Sequence, residues 1–216
     1  MNKIQKNFFV TATDTNVGKT IISAALKYKF NALYWKPIQC GKNSEGLTDS
    51  EKIKKILNLK DNEIIKEVYC LKEPLSPNIA SEKENIKINL SSFSIKKKYN
   101  SKNLIVEGAG GLLVPINNKY FVVDLIRKIG FPIVLVSSTK LGTINHTLMS
   151  LEIIKKNKLK IMGIVFIGKK NIESIETIKF FAEKIFKKKI KILGEIPLFK
   201  NIDKSKILKI SKLIKL

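Results

Sequence analysis

Two kinds of hydrophobic pattern alternate along the chain. Short runs rich in β-branched residues, such as Ile-Val-Leu-Val at residues 133–136, are typical of strands buried on both faces of a sheet. The predicted strands span residues 7–12, 32–37, 102–107, 132–137, 160–167 and 190–196. Segments with helical spacing lie between them, at residues 19–30, 122–129, 144–156 and 172–187. This alternation predicts βαβ units and a largely parallel α/β sheet with helices on both faces.

The remaining segments are less regular. Residues 60–102 have no clear period, and we expect short helices and loops there. Residues 202–216 place apolar residues among lysines, which fits a final helix packed on the core or, alternatively, a basic amphipathic helix at a membrane surface. We favour the core-packed helix. Because no internal repeat or linker divides the sequence, residues 1–216 are predicted to form a single domain.

The composition is that of an ordinary globular protein. Hydrophobic residues make up 44% and charged residues 27% of the 216 residues, which argues against disorder. No apolar run approaches the ~18 residues needed to span a bilayer, and the run at residues 8–10 is too short for a signal peptide, so we expect a cytoplasmic protein. Cys40, Cys70 and the single histidine, His146, are too few for a disulfide framework or a His-rich zinc or iron site.

The charge is unusual, because 41 Lys+Arg against 18 Asp+Glu give a net charge of +23. Such an excess is expected of a nucleic-acid binder. Here the lysines are spread along the whole chain together with abundant isoleucine and asparagine, a combination that AT-biased codon usage produces without any polyanionic partner. We therefore expect no specific nucleic-acid partner and no membrane partner, and interpret the charge as an influence on solubility.

A phosphate-binding loop is predicted where the first strand meets the first helix. Gly18, Lys19 and Thr20 match the second half of such a loop. Backbone N–H groups and the helix N-terminus face the phosphates, the lysine neutralises phosphate oxygens, and the threonine hydroxyl ligates Mg²⁺. Thr13 stands five residues before Gly18, where the usual pattern has glycine. The predicted nucleotide contacts are Thr13, Asp14, Thr15, Asn16, Val17, Gly18, Lys19 and Thr20. The fold is accordingly predicted to be P-loop NTPase-like.

This loop and five further blocks resemble one family in order and spacing. The loop reads Ala-Thr-Asp-Thr-Asn-Val-Gly-Lys-Thr at residues 12–20. The other blocks are Tyr-Trp-Lys-Pro-Ile at 34–38, Glu-Pro-Leu-Ser-Pro at 73–77, Val-Glu-Gly-Ala-Gly-Gly at 106–111, Lys-Leu-Gly-Thr-Ile-Asn-His at 140–146 and Gly-Glu-Ile-Pro at 194–197. Over almost its whole length, the chain resembles dethiobiotin synthetase.

The resemblance implies an ATP-dependent ring closure in biotin synthesis. That family converts 7,8-diaminononanoate and CO₂ to the cyclic urea dethiobiotin, with release of ADP and phosphate. One amine captures CO₂ as a carbamate, the carbamate oxygen attacks the γ-phosphate, and the second amine displaces phosphate from the mixed anhydride. The resemblance therefore implies small-molecule substrates, ATP, Mg²⁺ and a homodimer.

Catalytic roles follow from the same resemblance. Lys19 and Lys36 would flank the transferred phosphoryl group and the carbamate, and Thr15 would help to hold both. Fixed cations suit this reaction because the carbamate and the triphosphate are both anionic.

The expected magnesium ligands are oxygen atoms, which this cation prefers. Thr20 and Glu107 match two family ligands. The second carboxylate of the family aligns with Glu51, which we favour, although Asp49 is an alternative ligand or a helix cap.

The substrate carboxylate is bound in this family at a helix N-terminus that reaches across the dimer interface. Backbone N–H groups of Thr143, Ile144 and Asn145 would provide that site here. Cys40 replaces a common serine, and its thiol is a weaker donor than a hydroxyl. No base motif accompanies this cysteine, so we do not expect a nucleophile, and we expect His146 to pack or to lie at the interface. The other expected substrate contacts are Ser76 and Pro77.

The end of the site that recognises the base departs from the family. Further nucleotide contacts are expected from Glu107, Gly108, Gly110, Gly111, Ile167, Gly168 and Pro197. The family has Asn-Asp after the fifth strand, whereas residues 166–168 here read Phe-Ile-Gly. Discrimination between bases depends on buried polar groups that pair with one edge, so a modest preference for ATP is predicted.

Three other interpretations compete with this one. A partition-type P-loop ATPase binding DNA or membrane would suit the positive charge, but the additional early lysine of those loops is missing at residues 13–15. An amide-forming synthetase acting on a corrin precursor would need a glutaminase domain for which the chain is too short. An enzyme under relaxed constraint is the third interpretation, and the presence of every expected charged catalytic residue argues against complete loss.

Overall fold

A computed structural model describes residues 6–216 of the chain. Its main sheet has seven parallel strands in the order β4-β2-β6-β1-β7-β8-β9, and β3 and β5 form a separate two-stranded sheet. The strands are β1 (Phe8–Ala12), β2 (Leu33–Trp35), β3 (Ile38–Cys40), β4 (Ile64–Ile65), β5 (Tyr69–Leu71), β6 (Leu104–Glu107), β7 (Ile133–Ser138), β8 (Ile161–Ile167) and β9 (Ile192–Ile196). The helices are α1 (Lys19–Phe30), α2 (Asp49–Leu57), α3 (Pro77–Lys83), α4 (Val122–Ile129), α5 (Thr143–Lys156), α6 (Ile172–Phe186) and α7 (Lys204–Leu213).

The predicted α/β class and its parallel sheet are confirmed. All six predicted strands form, as β1, β2, β6, β7, β8 and β9, and all four predicted helices form, as α1, α4, α5 and α6. Buried strand patterns explain this agreement, because every residue of β1 and of β6 is buried. Strands buried on both faces give the continuous apolar runs that the sequence shows.

The sequence analysis did not predict three short strands. β4 has two residues and pairs with β2 at the edge of the main sheet, and β3 and β5 have three residues each. Runs this short carry too few positions for a periodic pattern to be recognised. They matter for the site because β3 follows closely after β2 and β5 pairs with β3.

The final helix packs on the core. Ile207, Ile210 and Ile214 are fully buried in the same hydrophobic cluster as Ile22 and Leu26 of α1. The expectation of a core-packed C-terminal helix is therefore confirmed over the membrane-surface alternative. Within residues 6–216, the longest and most apolar helices still fall short of what a membrane crossing requires.

The strand order brings the functional loops together. β2, β6, β1 and β7 are consecutive neighbours in the sheet and run parallel. Their carboxyl ends therefore meet at one edge, where ligands bind in open α/β sheets. Lys36 follows β2, Glu107 ends β6, and the phosphate-binding loop follows β1.

Candidate active site

The loop between β1 and α1 leaves the first turn of the helix free to bind an anion. No side chain caps the N-terminus of α1, so its first N–H groups remain available. Gly18 has φ +100°, and a Cβ at this position would lie 2.5 Å from Ile167 Cδ1. Only glycine combines this backbone conformation with so close an approach. Asn16, at φ 55°, also adopts the left-handed conformation, and Val17 packs against the core cluster on the α1 side.

Lys19 points back into the loop. Its Nζ donates to the carbonyl oxygen of Asp14 at 2.9 Å, and the residue is 8% exposed. Burial lowers the pKa of Lys19 to about 8, and the Glu107 carboxylate partly opposes this shift. A phosphate close to this ammonium would favour the protonated form further. Lys19 therefore lies within the loop, where the sequence analysis expects it to contact phosphate.

Glu107 lies at the centre of the charged cluster. It is 1% exposed, and each of its carboxylate oxygens has a partner. Oε1 accepts from Thr20 Oγ1 at 2.9 Å and from Lys36 Nζ at 3.2 Å. Oε2 accepts from the hydroxyl of Tyr34 at 3.0 Å. A buried carboxylate with three donors is held in one orientation at the carboxyl end of β6.

Lys36 joins two carboxylates. Its Nζ donates to Glu107 and also forms an ion pair with Asp49. Burial alone would lower the pKa of Lys36, but Glu107 and Asp49 outweigh it and raise the pKa above its usual range. Burial acts to raise the pKa of Asp49, yet the Lys36 ammonium, through its charge and its hydrogen bond, holds that pKa below its usual value. Both groups are therefore ionised at neutral pH.

The assignment of Glu51 to the metal site is not supported by its position. Glu51 Oε2 accepts from the backbone N–H of Thr48 at 2.7 Å, and its own N–H donates to Thr48 Oγ1 at 3.2 Å. This reciprocal pair is a capping box at the start of α2, and it holds Glu51 in an exposed position. Asp49, two residues earlier, is the carboxylate that lies beside Lys36 and Thr20. The Thr-x-x-Glu spacing of Thr48 and Glu51 is the sequence pattern typical of this cap.

Tyr34 is a site residue that the sequence analysis missed. Its hydroxyl is fully buried, and burial together with Glu107 raises the pKa of Tyr34 well above its usual value. The phenol therefore stays protonated and donates to Glu107. Alternation along β2 was the available signal, since Tyr34 and Lys36 lie two residues apart on one face.

The glycine segment after β6 lies against the phosphate loop. The N–H of Gly108 donates to Val10 O at 2.9 Å, which continues the β1–β6 pairing. A Cβ on Gly111 would lie 3.4 Å from Ala12 O, so the two loops approach closely. Gly110 links them with φ +69°. The segment is thus placed where it can contact a nucleotide bound to the loop.

A wide groove begins at the phosphate loop. It has a volume of about 1070 Å³, and Thr13, Asp14 and Thr15 line its polar end. Its apolar wall includes Leu113 and Met149, which are 50% and 58% exposed. Asn145 and His146, near the start of α5, also line it. The groove therefore runs from part of the phosphate loop to Asn145, one of the expected substrate contacts, while Thr143 and Ile144 lie outside its lining.

The start of α5 is tied to the phosphate loop by hydroxyl groups. Gly142 precedes the helix with φ +90° and no side chain caps the N-terminus. Thr143 Oγ1 lies 3.0 Å from Ser137 Oγ, and Thr13 Oγ1 donates to the same Ser137 oxygen at 3.5 Å. Ile144 packs against the core, which orients the first turn.

Cys40 and the segment before α3 flank the end of β2. Burial raises the pKa of the Cys40 thiol to about 11, although Lys36 partly opposes this. The thiol is therefore neutral at physiological pH, which agrees with the expectation that it is not a nucleophile. A Cβ on Gly41 would lie 2.6 Å from Pro74, so Pro74 packs directly on this turn. Ser76 and Pro77 begin α3 there.

A second, smaller cavity lies at the carboxyl ends of β8 and β9. Its volume is about 210 Å³, and its lining residues are Thr139, Phe166, Gly168, Lys169, Lys170, Glu195, Ile196 and Pro197. Of the three residues expected to contact the base, Gly168 and Pro197 line this cavity. Ile167 does not, because its side chain packs against Gly18 of the phosphate loop. The expected nucleotide contact of Ile167 therefore stays a prediction, and its side chain lies beside the phosphate loop and not in this cavity.

The donor set fits magnesium and not a softer metal. Across residues 6–216, no cluster of three or more His, Cys, Asp or Glu side chains could hold a metal ion by itself. Thr20, Glu107 and Asp49 instead supply one hydroxyl and two carboxylates beside the phosphate loop. Mg²⁺ is usually bound in this way, by one or two carboxylates together with substrate phosphates and water.

Comparison with known proteins identifies relatives over nearly the whole chain. A family model described as an AAA domain matches residues 6–206. The ATP-dependent dethiobiotin synthetase BioD of Lawsonia intracellularis is 41% identical over 198 residues, covering 92% of this chain and 91% of that protein. The protein of the same name from Brucella melitensis is 36% identical over 204 residues, covering 94% of this chain and 92% of that protein. The resemblance drawn from the sequence blocks is confirmed.

Solved structures confirm the P-loop NTPase-like fold. A ParA family ATPase from Chlorobium tepidum has a TM-score of 0.54 at 11% identity, covering 96% of this chain and 98% of that one. The MinD cell division protein of Aquifex aeolicus has a TM-score of 0.51 at 12% identity, covering 96% of this chain and 95% of that one. At such identities the likeness shows a shared fold and nothing more.

Proposed function

The chain belongs to the ATP-dependent dethiobiotin synthetases, within the AAA-domain family, and from this premise we propose that residues 1–216 act as one P-loop domain that closes the ureido ring of dethiobiotin. The observation that carries the proposal is the cluster of Lys36, Glu107, Thr20 and Lys19 at the edge of the sheet. This cluster places two ammonium groups beside a loop that binds phosphate.

The reaction joins two anions, and the site supplies the opposing charge. One amine of 7,8-diaminononanoate takes up CO₂ as a carbamate, whose oxygen attacks the γ-phosphorus of ATP and releases ADP. The second amine attacks the carbonyl carbon of the resulting anhydride, and phosphate leaves as the ring closes. Such phosphoryl transfer depends mainly on positioning and electrostatic stabilisation.

Each charged side chain has a role that its position supports. Lys19 neutralises the phosphate oxygens from within the loop. Thr15 is exposed at the mouth of the groove, where its hydroxyl donates to Asp14 Oδ1 at 3.4 Å and would exchange this contact for the carbamate or phosphate. Lys36 stabilises the charge that passes from the carbamate to the phosphate. Its two carboxylate partners hold it at the carboxyl end of β2 and keep it protonated.

A magnesium ion would be held by Thr20, Glu107 and Asp49. This set replaces Glu51 with Asp49, because Glu51 is engaged in capping α2. When bound, the ion supplies charge neutralisation to the triphosphate oxygens.

The chemistry of the groove matches the expected substrate, and the exposed surface beside it suits contact with a second copy of the chain. The aliphatic chain of diaminononanoate matches its apolar wall, and its carboxylate matches the uncapped N-terminus of α5 at Thr143, Ile144 and Asn145. Leu141, beside this terminus, is fully exposed, as expected for a residue covered by a partner subunit. We accordingly propose a homodimer in the cytoplasm, where Cys40 and Cys70 stay as free thiols.

Phosphate release by the purified protein tests the proposal. The protein is incubated with ATP, Mg²⁺ and bicarbonate, with and without diaminononanoate, and parallel samples receive duplex DNA or anionic lipid vesicles. We expect release that depends on diaminononanoate and is unchanged by DNA or lipid. Release stimulated by DNA or lipid, and not by diaminononanoate, would overturn the synthetase and favour a partition-type ATPase.

A further inference from the structure

One buried hydroxyl next to the charged cluster has no role in the reaction as described so far. Tyr34 is 0% exposed and its OH donates to Glu107 Oε2 at 3.0 Å. The strand register explains this contact. Tyr34 pairs with Ile105 across β2 and β6, and Glu107 lies two residues beyond Ile105 on the same face.

The two oxygens of Glu107 are used differently. Oε1 faces the reaction side, because its partners are Thr20 on the phosphate loop and Lys36. Oε2 faces the buried interior, where Tyr34 is its donor. A carboxylate that lost this donor would keep one unpaired buried oxygen, and its terminal torsion would be free to turn Oε1 away from Thr20.

We propose that Tyr34 is a positioning residue, which holds the Glu107 carboxylate in the orientation that binds the divalent cation accompanying ATP. This inference rests on the proposed function for the identity of the reaction, but the contact itself concerns metal binding alone. Groups that orient a metal ligand through a hydrogen bond change metal affinity or activity by about 10- to 100-fold when they are removed.

The test measures Mn²⁺ affinity in the presence of a non-hydrolysable ATP analogue, by electron paramagnetic resonance. Tyr34→Phe removes the hydroxyl and retains the ring that packs in the core. We expect its Mn²⁺ dissociation constant to rise by about 10-fold. Tyr69→Phe is the matched control, because Tyr69 on β5 donates its OH to Ser92 Oγ at 3.3 Å and not to Glu107. Its Mn²⁺ affinity is expected to match the wild type.

A double substitution separates positioning from general stability. In a Glu107→Ala background the carboxylate is gone, so adding Tyr34→Phe is expected to change Mn²⁺ affinity by less than about 2-fold. An equal loss in both backgrounds would overturn the proposal. So would a Tyr34→Phe protein with a lower melting temperature but unchanged Mn²⁺ affinity, since that result describes a purely structural residue.

A measurement on the wild type covers the case in which Tyr34→Phe fails to fold. Mn²⁺ binding to Glu107 changes the charge beside the Tyr34 hydroxyl, so a near-ultraviolet tyrosine difference spectrum is expected on titration with Mn²⁺ and the analogue. A flat spectrum at saturating Mn²⁺ would contradict the inference. If diaminononanoate-dependent phosphate release is absent, the proposed function fails while these metal-binding results still decide the role of Tyr34.

Discussion

Replacing Lys36 with methionine tests the electrostatic core of the proposed mechanism. The substitution retains most of the buried aliphatic stem and removes the ammonium that lies 3.2 Å from Glu107 Oε1. A unit charge about 4 Å from an ammonium gains about 4 kcal/mol at an effective dielectric constant near 20. Part of that gain is present in the ground state, so we expect a loss of about 3 kcal/mol in the transition state, or roughly 10²- to 10³-fold in kcat.

Loss of the same ammonium also leaves the buried Glu107 and the partly exposed Asp49 without their counter-ion. Breaking a buried ion pair costs about 3–5 kcal/mol of folding free energy, so activity and stability must be separated. Lys27→Met is the matched control, because Lys27 is also buried and its ion pair does not involve the phosphate loop. The Nζ atom of Lys27 lies 2.5 Å from Glu63 Oε1. We expect Lys27→Met to lower the melting temperature with little change in kcat.

The assay is single-turnover phosphate release with saturating ATP, Mg²⁺, bicarbonate and diaminononanoate, at a temperature where both variants are folded by circular dichroism. Saturating substrate separates kcat from weakened binding. A folded Lys36→Met protein that retains more than about a third of the wild-type kcat would refute the assignment of Lys36 to the transition state.

Three further predictions concern the metal, the base and the cysteine. Asp49→Asn is expected to raise the Mg²⁺ concentration needed for half-maximal activity by about 10-fold. Glu51→Gln keeps a side-chain acceptor for the capping box and is expected to leave both this concentration and the stability nearly unchanged. The reverse result would restore Glu51 as the ligand. The ratio of kcat/KM for ATP to that for CTP is expected to stay below ~100-fold, because residues 166–168 read Phe-Ile-Gly and carry no side-chain amide to pair with the base; a larger ratio would contradict this. The alkylation rate of Cys40 is expected to keep rising toward pH 11, because burial raises the pKa of its thiol to about 11 and only the thiolate reacts. Mass spectrometry of iodoacetamide adducts measures this rate. A plateau near pH 9 would show a thiol with an ordinary pKa.

Much of the candidate site was predictable because its chemistry lies at strand ends. The phosphate loop, Lys36 and Glu107 each follow a strand that the hydrophobic pattern identifies. Parallel strands align their carboxyl ends, so residues far apart in sequence are brought together by a rule that needs no coordinates. The same rule did not reveal which side chains turn toward the site and which turn away.

Asp49 and Glu51 illustrate where alignment stops being informative. Both are carboxylates near the start of α2, and the family pattern favours Glu51. In the folded chain, the backbone N–H of Thr48 competes for the Glu51 side chain, while the Lys36 ammonium attracts Asp49. This competition between a local cap and a long-range ion pair is decided by distances across the fold.

By itself, the sequence determined the order of the elements, the parallel sheet and the phosphate loop, because local periodicity and turn chemistry act over a few residues. Tertiary structure alone decided that Tyr34 reaches Glu107, that Ile167 packs against Gly18, and that β4 joins the edge of the sheet. These contacts join residues on separate elements, and a few ångströms in the relative placement of two strands determine whether such a contact forms.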